Sequence, residues 1–120
     1  MMQSNIYARV APLLKETPPN CDLTKLESFL NFYRPGMFIY PSAMQRNLGI
    51  NIIEVYKILE LCVDTGILEQ ALEVYCPRCQ RFSGSKFSSI FDIPDEVFCV
   101  HCDEMVERPI QHAIVIYRVL

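Results

Sequence analysis

Cys76-Pro77-Arg78-Cys79 and Cys99-Val100-His101-Cys102 are two Cys-x-x-Cys pairs, separated by the 19 residues from Gln80 to Phe98. A thiolate is both a nucleophile and a soft metal ligand, so paired cysteines serve either thiol exchange or metal binding. Two residues between the cysteines let a tight turn aim both sulfurs at one ion, and two such turns complete a tetrahedron. The gap falls within the spacing of four-cysteine zinc sites. Four thiolates close the coordination sphere, so the expected cofactor is a structural zinc with no position left for water or substrate. His101 lies inside an already complete set, which gives it a solvent-facing or supporting role rather than ligation.

The other reactive residues carry less. Cys62 falls on the apolar stripe of a helical pattern, where a thiol acts as a small hydrophobe. Cys21 follows two prolines and has no neighbouring cation or base in sequence to activate it. His112 sits in a strand-like run without a Ser, Cys or Asp partner. The chain therefore reads as no enzyme. Its net charge of -3 and its 11 scattered Lys and Arg give no general field for a phosphate backbone. Any nucleic-acid site has to be local, and the one basic group is Arg78, Arg81 and Lys86 around the first cysteine pair. Asp92, Asp95, Glu96, Asp103, Glu104 and Glu107 surround the second, so this segment is bipolar.

The opening Met-Met-Gln-Ser-Asn-Ile-Tyr-Ala-Arg lacks the basic start and unbroken apolar stretch of a signal peptide. A charged residue interrupts every long apolar run, so no membrane span is expected. The expected location is the cytoplasm, where reducing conditions favour metal ligation over disulfides.

Positioning the cysteines falls to a chain of 120 residues, 51% hydrophobic and 21% charged, enough for one globular unit or two small lobes. Behind Ser4, Ile6, Val10, Leu13 and Leu14 recur at helical spacing until Thr17-Pro18-Pro19. Asp22 is placed to cap a second helix carrying Leu23, Leu26, Phe29, Leu30 and Tyr33. After a brief strand from Met37 to Tyr40, Ser42-Ala43-Met44-Gln45 reads as a capping box for a third helix, which Gly49 closes. Asn51 caps a fourth, with Ile52, Val55, Tyr56, Leu59, Cys62 and Val63 on one face. Leu68 to Tyr75 alternates as a half-buried strand does and needs a partner, which the β-rich run Ile110 to Leu120 supplies as an antiparallel hairpin.

This order of helix, short strand, helix, turn, helix and two strands resembles the winged helix-turn-helix superfamily. The Cys76 to Cys102 stretch resembles the zinc-ribbon class, and the pair of them is similar in layout to the alpha subunit of general transcription factor E. The resemblance implies an α+β fold in which residues 1–75 and 110–120 form an N-terminal helix and winged helix, and residues 76–109 a zinc-ribbon lobe inserted at the tip of the wing. It also implies a lobe core built from Phe82, Phe87, Phe91 and Phe98. The recognition helix would start at Asn51 and present Asn51, Glu54 and Lys57, with Gln45 and Arg46 just before it. The expected function is a non-enzymatic adaptor or regulatory component that binds another protein. The alternative is a sequence-specific DNA-binding regulator in which Arg78, Arg81 and Lys86 touch backbone phosphates. A homodimer through the N-terminal helix is a further expectation.

Overall fold

A computed structural model describes residues 6–16 and 18–120. Ser4 and Thr17, expected at the two ends of the first helix, lie outside the described residues. The chain divides into two compact units, Met1–Glu69 with Tyr117–Leu120, and Gln70–Ile116. The dividing lines fall inside two strands, where residues 75/76 and 109/110 were expected to separate the lobes.

In the first unit, α1 (Ile6–Glu16) turns Ile6, Val10 and Leu14 inward, and α2 (Leu23–Asn31) turns Leu26 and Leu30 inward. The apolar stripe of α1 is buried in the unit's own core against α2 and α4 (Ile52–Asp64). Asp22 caps α2 as its sequence position requires, its Oδ1 accepting from the amides of Thr24 at 2.8 Å and Lys25 at 3.3 Å. The Ser42 to Gln45 capping box does not form. The helix α3 (Pro41–Leu48) starts one residue earlier on Pro41, whose fixed φ suits a first turn and whose missing N–H costs nothing there. Gly49 ends α3 at φ 64, a left-handed angle cheap only for glycine, and its N–H reaches Gln45 O at 2.8 Å. Asn51 caps α4 through Ile53 N at 2.7 Å, and Val55, Ile58, Leu59 and Cys62 fill the core. Burial pushes the Cys62 thiol up to about 12.

The strand β1 (Phe38–Ile39) pairs antiparallel with the end of the last strand, β6 (Ala113–Val119), setting Phe38 opposite Arg118 and Ile39 opposite Tyr117. Tyr117 is buried, and its hydroxyl donates to Glu60 Oε2 at 2.5 Å. Burial, and then the Glu60 carboxylate, hold this phenol above its usual range. Removing the hydroxyl with Tyr117→Phe is expected to cost about 1.5–3 kcal/mol, since the lost bond is to a charged acceptor, read as a lower urea midpoint. An acid whose pKa is raised on folding contributes stability that is present below its unfolded value and lost as pH rises. Stability should therefore fall above pH of about 10, and less steeply in the Tyr117→Phe protein.

The second unit is all strand and turn. Here β2 (Leu68–Cys76), β3 (Arg81–Phe87), β4 (Glu96–Phe98) and β5 (Met105–Glu107) precede β6. One sheet has the order β1-β6-β2-β3, and a second pairs β4 with β5, Val97 opposite Val106. So β2 lies beside the C-terminal strand as its alternation required, and it takes β3 antiparallel on its other edge, with Cys76 opposite Arg81. The last strand starts at Ala113, not Ile110, because Pro109–His112 winds into a 3-10 turn.

Val74, Cys76, Val97, Cys99 and Val106 form this unit's core, with Phe87 and Ile93 packed on it. The expected phenylalanine core is only partly there. Phe82 stacks edge-on against Tyr75, while Phe91 is 90% and Phe98 61% exposed. Alternation explains Phe98: Val97 takes the inward position of β4, which sends its neighbour outward. No helix among the described residues is long and apolar enough to cross a membrane.

Candidate metal centre

Each cysteine pair sits in a turn of the same construction. After the first pair, Gln80 takes φ 58 and its N–H bonds Cys76 O at 2.9 Å; after the second, Asp103 takes φ 59 and its N–H bonds Cys99 O at 2.9 Å. The two turns are local copies of one another, one leaving β2 and the other following β4. Backbone amides then point at sulfur: Arg81 N–H at Cys79, His101 and Cys102 N–H at Cys99, Glu104 N–H at Cys102. Donors aimed at a sulfur stabilise it as thiolate, the form that ligates a metal.

All four sulfurs lie within 4.8 Å of one another. Cys76 and Cys102 Sγ are 3.7 Å apart, Cys79 and Cys99 Sγ 3.6 Å. A disulfide requires about 2.05 Å, so none is formed. Four sulfurs about 2.3 Å from one tetrahedral ion would stand about 3.8 Å apart. The observed spacings match that. Cys76 and Cys99 are buried, Cys79 and Cys102 half-buried. The four cysteines could hold a single ion with thiolate donors alone, a set that suits soft or borderline metals.

Burial and the neighbouring sulfurs push Cys79 up to about 12. Burial also works to raise Cys99, but the amides of Cys102 and His101 overcome it and draw that thiol down to about 7. Cys102 ends above its ordinary value, because burial and the sulfurs of Cys76 and Cys99 outweigh the Glu104 amide that lowers it. Loading the ion must displace the protons still held, so affinity falls as pH falls.

The left-handed angles at Gln80 and Asp103 are awkward for side chains with a Cβ, and costliest for β-branched ones. Gln80→Gly is expected to keep or raise the melting temperature of the metal-loaded protein, and Gln80→Val to lower stability by about 1–2 kcal/mol.

Support for the second turn comes from β3. Gly84 has φ 92, an angle strained for any side chain, and a Cβ there would stand 3.0 Å from Val100 Cγ2, so a larger residue would press on Val100. Val100 N–H bonds Ser83 O at 3.0 Å. Gly84 N–H in turn donates at 3.0 Å to Glu73 Oε2, a carboxylate 2% exposed on β2, and Lys86 Nζ lies 3.8 Å from its other oxygen. A lone glycine between two serines inside a strand was the available sequence signal for this contact. Glu73 carried none, since it alternates like a solvent-facing strand residue.

The other residues singled out in the sequence scatter. Arg78, Arg81 and Lys86 are all exposed, and Lys86 Nζ also lies 3.8 Å from the buried Glu73 carboxylate. His101 is exposed and outside the sulfur cluster, where its amide is what reaches Cys99. In the helical unit Arg46 is exposed and Gln45 half-buried. Asn51 is occupied as a cap. Glu54 does not face open solvent: its Oε1 accepts from Asn20 N at 3.0 Å, and Lys57 Nζ lies 3.9 Å from its other oxygen. Pro18 and Pro19 with Glu54, Lys57 and Asp64 line a groove of about 330 Å³ along α4. Comparisons of the chain with family models, curated proteins and solved structures return no match.

Proposed function

We propose that the chain is a zinc-stabilised winged-helix module of the cytoplasm, without catalytic activity, that works by binding another protein. The winged-helix reading is supported by the sheet order, since β1 and β2 flank the last strand β6 and two successive helices separate them in the chain. Zinc is supported by four thiolates at tetrahedral spacing.

The observation that carries protein binding is the exposure of Phe91 at 90%, Phe98 at 61% and Val100 at 71%, in a segment that also bears Asp92, Asp95 and Glu96. Large apolar side chains left in water among charges are the anchors and rim of protein interfaces. DNA reading, the second possibility, has the helix order in its favour and little else. The exposed side chains of α4 are Ile53, Lys57 and Asp64, one cation among them, and the α1–α2 linker holds Glu54. Base readers need donors and phosphate contacts on that face.

Affinity capture from native lysate tests the reading. Wild-type chain should retain a partner protein that the double variant Phe91→Ala with Phe98→Ala loses while keeping the wild-type melting temperature. Tight binding to random duplex DNA with a steep salt slope would instead sink it.

A further inference from the structure

Beside the first cysteine turn, Arg78, Arg108, Gln111 and His112 line a cavity of about 420 Å³ within Gln70–Ile116. Its only carboxylate is Glu107. Neither Arg78 nor Arg108 forms an ion pair among the described residues. The loop that carries three of these side chains is preset: Arg108 takes φ 51, Pro109 fixes the next residue, and Gln111 N–H closes onto Arg108 O at 2.9 Å. Two guanidinium groups without an ion pair thus stand against one carboxylate in this wall, which Cys76 of the sulfur cluster also lines.

We propose that this cavity binds a phosphoryl oxyanion carried on a side chain of a partner protein. The planar fork of arginine offers paired donors matched to phosphate oxygens, and Gln111 and His112 supply further polar contacts. The volume lies in the usual range of about 300–1,000 Å³ for small-ligand sites and leaves room for the residue that carries the group. A polyanionic backbone would meet the acidic remainder of the chain, whereas one phosphoryl group needs only the local cations. The affinity for an oxyanion stands on the cavity's lining. That the oxyanion arrives on a protein rests on the function proposed above.

The test titrates the full-length, metal-loaded chain with inorganic phosphate, a phosphoserine peptide of otherwise neutral sequence, its unphosphorylated form and a random DNA duplex, following backbone amide resonances. Phosphate should shift Arg108, Gln111 and His112 saturably, and the phosphopeptide should bind at least tenfold more tightly than phosphate, with the unphosphorylated peptide silent. Arg78→Gln and Arg108→Gln should each weaken phosphate binding at least tenfold and leave zinc retention against a chelator unchanged. No saturable shift with phosphate overturns the site and leaves the lysate capture untouched. Loss of zinc from both variants in step with phosphate binding would mean that the arginines balance the charge of the thiolate cluster, which also overturns it. A phosphopeptide no tighter than phosphate, or a duplex competing at the same resonances, overturns the protein-borne ligand.

Discussion

Stripping the ion with a chelator is expected to unfold Gln70–Ile116 while the helical unit keeps its far-UV signature. The second unit's core is five buried residues, two of them cysteines whose sulfurs belong to the cluster, so its apolar content without metal is three valines and the side chains packed on them. Lobes of that size rarely hold together unaided. Structural zinc sites in small modules supply about 10–16 kcal/mol of apparent binding free energy, which is folding free energy when no site exists in the unfolded chain. The four helices bury their own core from Ile6 to Cys62 and do not draw on the sulfurs. Cys76→Ser and Cys99→Ser should each reproduce the chelator's effect, because these are the two cysteines of the set that are buried in the lobe's core. Amide resonances measured before and after chelation decide it. Sharp, dispersed peaks from Cys76 to Cys102 in metal-free protein would remove the structural role of the ion.

Glu73→Ala is expected to cost about 3 kcal/mol, the second-largest single effect. The change takes the acceptor from the Gly84 amide and the counter-charge from Lys86, and empties the buried position that the Glu73 side chain fills. Glu73→Gln keeps an acceptor for the amide and should recover more than half of that loss. Because Gly84 is what Val100 closes over, the loss should also loosen the second cysteine turn. Urea midpoints measure the first effect. Zinc release in a chelator competition measures the second, and an unchanged release rate in Glu73→Ala would break the link between strand and turn.

The legible parts of this chain were those in which one residue type has few places to go. Cysteine pairs at fixed spacing, the Asp22 and Asn51 caps and the Gly49 stop act within four residues of themselves, and all of them stand where the sequence put them. What was not legible depends on partners distant in sequence. Pro41 and Ser42 compete to start one helix, and proline wins because its φ is already set. Phe98 has core chemistry, but the register of β4 against β5 gives the inward position to Val97, and Phe91 falls in the 3-10 turn Ile90–Asp92, which buries none of its residues. Lys86 reads as a surface cation until β3 lies against β2 and brings it to Glu73. The strand β3 was missed outright, because Arg81-Phe82-Ser83-Gly84-Ser85 alternates weakly and carries a glycine at the one point where a neighbour presses close.

Cys76 and Cys102 are 26 positions apart in the chain, yet their sulfurs sit 3.7 Å from each other. An ion held between them would be a cross-link that closes a long loop. In the chain-entropy treatment of cross-links, a loop of that length removes freedom from the unfolded ensemble worth about 3.5 kcal/mol. Unlike a covalent bridge, this closure can be opened and remade without an oxidant, at the rate of metal exchange. With an ion in place, how long Gln70–Ile116 stays assembled would be set as much by the surrounding supply of that ion as by anything encoded in the lobe itself.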